Sequence, residues 1–295
     1  MIAHAACRIR KQRFPRKNTR VPAIEFSLPG EPLRYQRTTG LLMSQMQELV
    51  NRVQDALPGP WNKKTGRPKL CGLYQAVEIT CMYIRHNGTQ EFLGDLRDAS
   101  QPTVSRMVST LTPIVKAVLE EFVPDAAEAI ELVQGRVCLV DGTITPCWSY
   151  GDHRELWSRK HGTTGFNAQL LSLLDGTAIY ISDPLPGKTH DAKAFTETPV
   201  ADIVAASGGA IGDKGYQGHV DATPRKKPRG GQLSKSDHES NAEISALRAP
   251  IERLIAHFKS WRILHTDYRR PYRTYRDAYD ATRGLFFFSI TWGFE

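Results

Sequence analysis

The stretch that decides the fold is Val-Cys-Leu-Val-Asp-Gly-Thr at residues 137–143, an apolar run followed by an acid and a glycine. An apolar run bounded by such a break is typical of a buried β-strand. The sequence therefore predicts a strand over 137–140, with Asp141 at its end. A carboxylate just beyond a buried strand lies at the sheet edge, where open α/β sheets place their sites. The alternative interpretation is that Asp141 only caps the next turn.

The residues that follow predict more strands. Residues 166–174 and 178–181 are apolar runs separated by Asp175-Gly176, which is typical of a hairpin turn. Ala210-Ile211 leads into Gly212-Asp213, so a second aspartate also follows an apolar run. Gly212 lets the backbone come close to a ligand.

Two helices are predicted after these strands, over about residues 237–260 and 275–290. Strands followed by helices around one sheet indicate an α/β or α+β domain, which we assign to residues 130–295.

The first of these helices carries a third acid, Glu252. At about 100° per residue, Arg248, Glu252 and Lys259 fall within about 40° of one another on the helix. Pro250 either kinks the helix or restarts it, because proline fits the first helical turn. A surface ion-pair ladder would explain this helix alone, but it would leave the two aspartates unexplained.

Asp141, Asp213 and Glu252 together suit phosphodiester cleavage. Two divalent ions about 3.5–4 Å apart activate the attacking oxygen and stabilise the leaving oxygen. Mg²⁺ prefers oxygen ligands, so three acids are enough to hold two ions. Lys259 and Arg248 would then stabilise the phosphate.

The distribution of charge indicates a polyanionic partner. The formal net charge is +8, and the basic residues concentrate in 1–40 and 222–276, on either side of an acidic middle segment. Clustered positive charge is typical of nucleic-acid binding, although a solvated basic surface is an equal alternative. Residues 1–33 are rich in Arg, Lys and Pro and are predicted to be an unstructured leader.

Other classes of protein are excluded by composition. The longest apolar stretch, residues 285–292, is too short to span a bilayer. The five cysteines follow neither a disulfide framework nor a zinc pattern, which fits a reducing cytoplasm.

Residues 34–125 are predicted to form a small helical domain. Residues 73–84 are apolar at helical spacing, Thr89 can cap a short helix, and Ser100 can cap a longer one. A short helix, a tight turn and a longer helix follow the helix-turn-helix order, in which the start of the second helix enters the major groove. The polar residues at that start are Gln101, Thr103, Ser105 and Arg106. An ordinary three-helix packing unit is the alternative.

Further basic residues are predicted to contact the DNA backbone, although a solvated surface explains them nearly as well. They are Arg225, Lys226, Lys227, Arg229, Arg262, Arg269 and Arg270.

From about Leu33 to the C-terminus, the sequence resembles the DDE transposases of bacterial insertion sequences, in the branch related to Harbinger-type nucleases. Four motifs in order carry the resemblance. They are Val-Asp-Gly-Thr at 140–143, Pro-Gly-Lys-Thr-His-Asp at 186–191, Gly-Asp-Lys-Gly-Tyr-Gln-Gly at 212–218, and Arg-Ala-Pro-Ile-Glu-Arg at 248–253 followed by Lys259 and Trp261-Arg262.

The resemblance implies a ribonuclease H-like fold, a mixed sheet flanked by helices, that follows the helix-turn-helix domain. It implies Asp141, Asp213 and Glu252 as catalytic residues and metal ligands, with two Mg²⁺ or Mn²⁺ ions. Water would be the first nucleophile and the freed 3′-hydroxyl the second. The family's signature helix carries a tyrosine where this chain has Ser245, which puts phosphate contacts at that end of the helix in doubt.

His190 and Asp191 are predicted to support the site, and a fourth metal ligand is the alternative. The implied partners are the terminal inverted repeats of a mobile element and a target, both double-stranded DNA. Because two element ends must meet, the chain is predicted to act as a homodimer or larger assembly, associated with the bacterial nucleoid. The competing hypotheses are a DNA-binding protein that has lost catalysis and a hydrolase that never joins strands.

Overall fold

A computed structural model of the chain describes residues 35–62 and 69–292. The predicted basic leader, residues 1–33, lies outside these ranges. The first helices are α1 (Tyr35–Thr39), α2 (Met43–Ala56), α3 (Leu73–His86), α4 (Gln90–Asp95), α5 (Gln101–Leu119) and α6 (Ala126–Val133). The helices of the predicted helix-turn-helix are therefore present as α3, α4 and α5, while their role in reading DNA stays a prediction.

The two predicted helix caps differ in the structure. The Thr89 hydroxyl accepts a hydrogen bond from the Phe92 backbone N–H at 3.3 Å, as expected at the start of α4. Ser100 stands at the start of α5, but its side chain caps no backbone N–H. Its hydroxyl bonds instead to the Thr103 hydroxyl at 2.9 Å, which competes with the predicted cap.

The strands are β1 (Val137–Pro146), β2 (Trp157–Ser158), β3 (Thr163–Leu173), β4 (Ala178–Ile181), β5 (Leu185–Pro186) and β6 (Gly209–Ile211). They form one mixed sheet in the order β2-β3-β1-β6, with β4 and β5 also paired to β3. Strand β1 runs antiparallel to β3 and parallel to β6. The predicted hairpin is confirmed, since β3 and β4 pair antiparallel and Gly176 takes a φ of +90° in the turn between them.

The prediction that the first strand ends at Asp141 is wrong. Strand β3 is long enough to pair with β1 as far as Pro146, so the backbone of β1 keeps a hydrogen-bonded partner beyond Asp141. On the other side of β1, the pairing with β6 stops at Leu139 and Ile211. Asp141 is therefore inside a strand, at the point where one of its two neighbours has ended.

The later helices are α7 (Asp191–Glu197), α8 (Val200–Ala205), α9 (Lys235–Lys259) and α10 (Tyr275–Thr291). The predicted helices at 237–260 and 275–290 are confirmed as α9 and α10. Helix α9 continues through Pro250, so it does not restart there. The architecture, a mixed sheet flanked by helices, agrees with the predicted α/β class and is consistent with a ribonuclease H-like domain.

One hydrophobic core joins the helical segment to the sheet. Buried side chains of α5, such as Val108 and Leu111, belong to the same cluster as Leu285 and Phe286 of α10. The two helices approach closely, because a Cβ at Gly284 would lie 2.8 Å from the Leu119 Cβ. A second cluster contains residues of α6, α8 and the strands. The boundary proposed between residues 125 and 130 stays a prediction, and the core crosses it.

Among the described residues, none of the helices combines the length and the apolar character needed for a membrane span.

Gly40→Ala should destabilise the fold by about 2 kcal/mol or more. Gly40 has a φ of +84°, and an added Cβ would come within 3.0 Å of the Trp261 ring, which is buried. Urea unfolding would measure the loss. Gly59→Ala is the matched control, because a Cβ at Gly59 meets nothing within 4 Å. Equal stability of the two variants would contradict the packing described here.

Candidate active site

Asp141 and Asp213 occupy matching positions, each just after the paired residues of the neighbouring parallel strands β1 and β6. The last paired residues of the two parallel strands are Leu139 and Ile211, and each aspartate follows two positions later. Asp141 accepts a hydrogen bond from the Gly142 N–H at 2.9 Å. Asp213 accepts one from the Gly215 N–H at 2.6 Å, so it also caps the 3₁₀ turn that follows. Asp213 can therefore cap this turn and also lie beside Asp141.

Arg248 connects helix α9 to strand β1. Its Nη2 lies 2.6 Å from the Asp141 Oδ2, and both side chains are mostly buried, 12% and 17% exposed. Its Nη1 lies 3.8 Å from the Glu252 Oε1, one helical turn further on, and the Glu252 side chain is 58% exposed. Arg248 therefore contacts both Asp141 and Glu252, although the Glu252 side chain itself is mostly exposed.

A third aspartate, Asp191, joins the first two. It is buried at the start of α7. A Cβ at Gly142 would lie 2.7 Å from the Asp191 Oδ1, and a Cβ at Gly215 would lie 2.8 Å from the Asp213 Oδ1 and 3.0 Å from the Asp191 Oδ2. The two glycines thus leave the space in which the three carboxylates converge.

Lys160 lies among these acids, and sequence reasoning missed it. Its Nζ is 2.5 Å from the Asp191 Oδ2. Burial opposes its charge, but the pair with Asp191 and the nearby charges of Asp213 and Asp141 raise the pKa of Lys160. This lysine therefore remains a cation inside the cluster.

A chain of polar side chains positions Asp191. The Tyr216 hydroxyl donates to the Gln169 Oε1 at 2.5 Å, and the Gln169 Nε2 donates to the Asn167 Oδ1 at 2.9 Å. The Asn167 Nδ2 then donates to the Asp191 Oδ1 at 3.3 Å. Asn167 and Gln169 alternate within an apolar strand, and that pattern was a signal for a buried polar network.

The pKa of Asp141 is raised within this cluster. Burial raises the pKa of Asp141 to about 6, the positive charge of Arg248 opposes this rise, and the negative charge of Asp213 adds to it. A carboxyl with such a pKa shifts towards its charged form when more positive charge arrives beside it.

The donor set fits a hard divalent cation. The predicted ligands Asp141, Asp213 and Glu252, together with the buried Asp191, offer carboxylate oxygens, the ligand type that Mg²⁺ prefers. In residues 35–62 and 69–292, no group of three or more His, Cys, Asp or Glu side chains has the geometry to hold a metal ion. Arg248 is paired with Asp141, and Lys160 is paired with Asp191.

The predicted supporting residues His190 and Lys259 come from two different elements. His190 is exposed just before α7, and Lys259 ends α9. Burial, the charge of Lys160 and, less strongly, the charge of Lys259 lower the pKa of His161, so Lys259 lies near His161.

The predicted DNA-binding residues at the start of α5 differ in exposure, and one of them lies beside two other predicted DNA-binding residues. Gln101 and Arg106 are exposed at the start of α5, where Gln101 donates to Gln90, while Thr103 and Ser105 are half-buried. Ser105 also lines a groove of about 480 Å³ together with Arg269 and Arg270. The structure therefore brings together residues from two separately predicted sets.

These two arginines also contact the helical segment. Arg269 donates to the backbone carbonyl of Asn87, and Arg270 donates to the Ser109 hydroxyl at 2.6 Å.

The remaining basic residues of the prediction lie on the surface. Arg225 donates to the Asp237 Oδ1 at 2.7 Å, which ties its loop to the start of α9. The other exposed members of the set are Lys226, Lys227, Arg229 and Arg262. Ser245, the departure from the signature helix, is exposed on α9.

Comparison with known proteins finds one family match and two relatives. Residues 140–283 match the family described as DDE superfamily endonuclease. A probable transposase for insertion sequence element IS702 from Microchaete diplosiphon is 26% identical over 238 residues, covering 77% of this chain and 84% of the relative. A putative transposase for insertion sequence element IS112 from Streptomyces albus G is 27% identical over 204 residues, covering 68% and 74%.

No solved structure matches the chain. The matched region contains Asp141, Asp191, Asp213 and Glu252. The family match and both relatives thus confirm the resemblance that the motifs carry, and this chain is related to the DDE transposases of insertion sequences.

Proposed function

We propose that this protein is a transposase, a metal-dependent endonuclease and strand transferase that acts on the ends of a mobile element. The observation that carries the proposal is the position of Arg248, which pairs with Asp141 on the sheet and with Glu252 on α9. Asp213 follows Ile211 by two positions, as Asp141 follows its partner Leu139, which supports a place for Asp213 in the same site.

In this proposal the acids form the metal-binding side of the site. Asp141, Asp213 and Glu252 would hold two Mg²⁺ or Mn²⁺ ions, which activate water and stabilise the leaving oxygen of the phosphodiester. Arg248 has a buried Nε without a hydrogen-bond partner among the described residues, so its guanidinium retains a free donor. With Lys259 at the other end of the same helix face, it would orient the phosphate of the scissile strand.

The substrate would be the double-stranded terminal repeats of the element and a target duplex. A homodimer or larger assembly would hold two ends together. The start of helix α5 would contact the repeats through Gln101, Thr103, Ser105 and Arg106.

A strand-transfer assay tests the proposal. A duplex that carries one genomic end of the element, already cut to leave a 3′-hydroxyl, is incubated with the full chain, a plasmid target and Mg²⁺ or Mn²⁺. We expect covalent joining of the end to the plasmid, detected as a labelled product on a denaturing gel.

The assay separates the three hypotheses. Cutting of an intact end without joining of the pre-cut end would favour the hydrolase. Binding of the end without either reaction would favour a DNA-binding protein that has lost catalysis. Either result would contradict strand transfer.

A further inference from the structure

A cavity of about 340 Å³ opens beside Asp191, and among the predicted site residues it is lined by Asp191 and His190. Its volume falls within the roughly 300–1,000 Å³ range of pockets that hold small ligands. We call it the Trp157 pocket, and its charged and aromatic lining is Arg154, Trp157, Arg159, Lys160, His161, Lys188, His190 and Asp191.

The walls of the Trp157 pocket are held by the backbone. The turn between β2 and β3 is closed by the Gly162 N–H, which donates to the Ser158 carbonyl at 2.8 Å, and Gly162 takes a φ of +62°. On the facing wall, the Lys188 N–H donates to the Glu155 carbonyl at 3.0 Å. Because main-chain bonds fix both walls, the pocket is preformed.

The charge of the Trp157 pocket is strongly positive. Arg154, Arg159, Lys160 and Lys188 all line it, and Asp191 is the one acidic side chain among the described residues of the lining. Asp191 is already paired with Lys160 at 2.5 Å. Concentrated positive charge of this kind attracts a phosphate backbone.

Trp157 adds an aromatic surface to this positive charge. Its side chain is 48% exposed, so a large indole meets solvent at the mouth of a cationic pocket. An aromatic side chain beside cations is how proteins bind unpaired nucleic-acid strands, with bases stacked on the ring and phosphates on the cations.

The size and shape of the Trp157 pocket favour a single nucleotide over a duplex. A base inside a duplex is stacked and paired, so it enters a concave pocket only after it leaves the stack. A strand that ends or is unpaired beside the active site needs no such step.

We propose that the Trp157 pocket binds one unpaired nucleotide of a DNA strand that passes the acidic site, with its base on Trp157 and its phosphate on Arg159 and Lys188. The inference rests on the proposed function, since it takes DNA as the substrate. Lys160 connects the two regions, because it lines the pocket and also contacts Asp191.

Binding is measured by fluorescence anisotropy in metal-free buffer, so that no strand is cut. The probes are a blunt duplex of arbitrary sequence and the same duplex with a short 3′ single-stranded overhang that contains 2-aminopurine. We expect the wild-type chain to bind the overhang duplex about tenfold more tightly than the blunt one and to quench the 2-aminopurine.

Trp157→Ala should abolish both the quenching and most of the preference for the overhang. The double variant Arg159→Gln, Lys188→Gln should lose the preference through the phosphate contacts. Trp148→Ala is the matched control, because Trp148 is 53% exposed and does not line the pocket. Lys193→Gln controls for the loss of a surface cation, since the Lys193 side chain is 65% exposed outside the pocket.

An overhang preference that survives both pocket variants, or that is absent from the wild-type chain, would overturn the inference. Its failure is distinguishable from that of the proposed function. A chain that cuts and joins element ends without preferring the overhang refutes the pocket alone. A chain with the preference that never cuts in Mg²⁺ or Mn²⁺ refutes the transposase proposal and leaves the pocket.

Discussion

Asp141→Asn should lower metal-dependent cleavage of element ends by about a thousandfold or more, with DNA binding unchanged. Stabilisation of the transition state by bound divalent ions is worth several kcal/mol, and each 1.36 kcal/mol is about tenfold in rate. The amide keeps the shape of the carboxylate but loses its charge. Single-turnover cleavage of a labelled end in Mg²⁺ measures the rate, and anisotropy measures binding.

Asp213→Asn and Glu252→Gln should have the same effect, because all three acids are proposed to hold the ions. Asp202→Asn is the control, since Asp202 is an exposed acid on α8. Circular dichroism would check that each variant is folded. Cleavage at the wild-type rate by any of the three site variants would remove that residue from the catalytic set.

Arg248→Ala should destabilise the fold by about 3 kcal/mol at neutral pH. The Arg248 and Asp141 side chains are only 12% and 17% exposed, so the variant leaves a buried carboxylate without its partner. Arg248→Ala should also reduce cleavage, because the proposed phosphate contact is lost. Urea unfolding at several pH values gives the free energy of unfolding.

The loss of stability should depend on pH in a defined direction. Burial raises the pKa of Asp141 to about 6 in the folded wild type, and Arg248 opposes that rise, so the variant's pKa is higher still. Well below pH 6 the carboxyl is protonated in both folded proteins, and the difference in stability is small. As the pH rises through about 6, the wild type ionises favourably and the variant does not, so the difference grows.

Arg253→Ala, an exposed neighbour on the same helix, should change stability by less than about 0.5 kcal/mol at either pH. A loss of stability in Arg248→Ala that stays equal between pH 5 and pH 8 would contradict a charged pair with Asp141.

Much of the sheet was predictable because its elements are set by local patterns. The Asp175-Gly176 turn between two apolar runs gave the β3–β4 hairpin, and the apolar stripes gave α9 and α10. The placement of Asp141 and Asp213 at one sheet edge was predicted from two apolar runs that are each followed by an aspartate. Its structural cause is the parallel register of β1 and β6, which no single stretch of sequence contains.

What sequence reasoning missed depends on partners distant in the chain. The length of β1 was underestimated because its last residues are stabilised by pairing with β3, not by their own apolar character. Lys160 was missed because nothing in its own turn shows that the turn folds back to Asp191. Asn167 and Gln169 were visible as polar residues in an apolar strand, but their partner Tyr216 lies 47 positions beyond Gln169.

The predicted DNA-binding residues show the same limit. The start of α5 was found from its cap and its spacing, and its exposed Gln101 and Arg106 agree with a surface role. That Ser105 shares a groove with Arg269 and Arg270 follows from the packing of α5 against the segment before α10.

The core shared by α5 and α10 has a consequence for engineering this protein. If the first helices were an independent module, they could be exchanged for those of a relative with different end specificity. Removing them here would uncover α10, whose Phe286, Phe287 and Phe288 are buried. Transplanted helices would therefore have to match this buried face of α10, whereas substitutions of exposed residues on α5 leave the shared core intact.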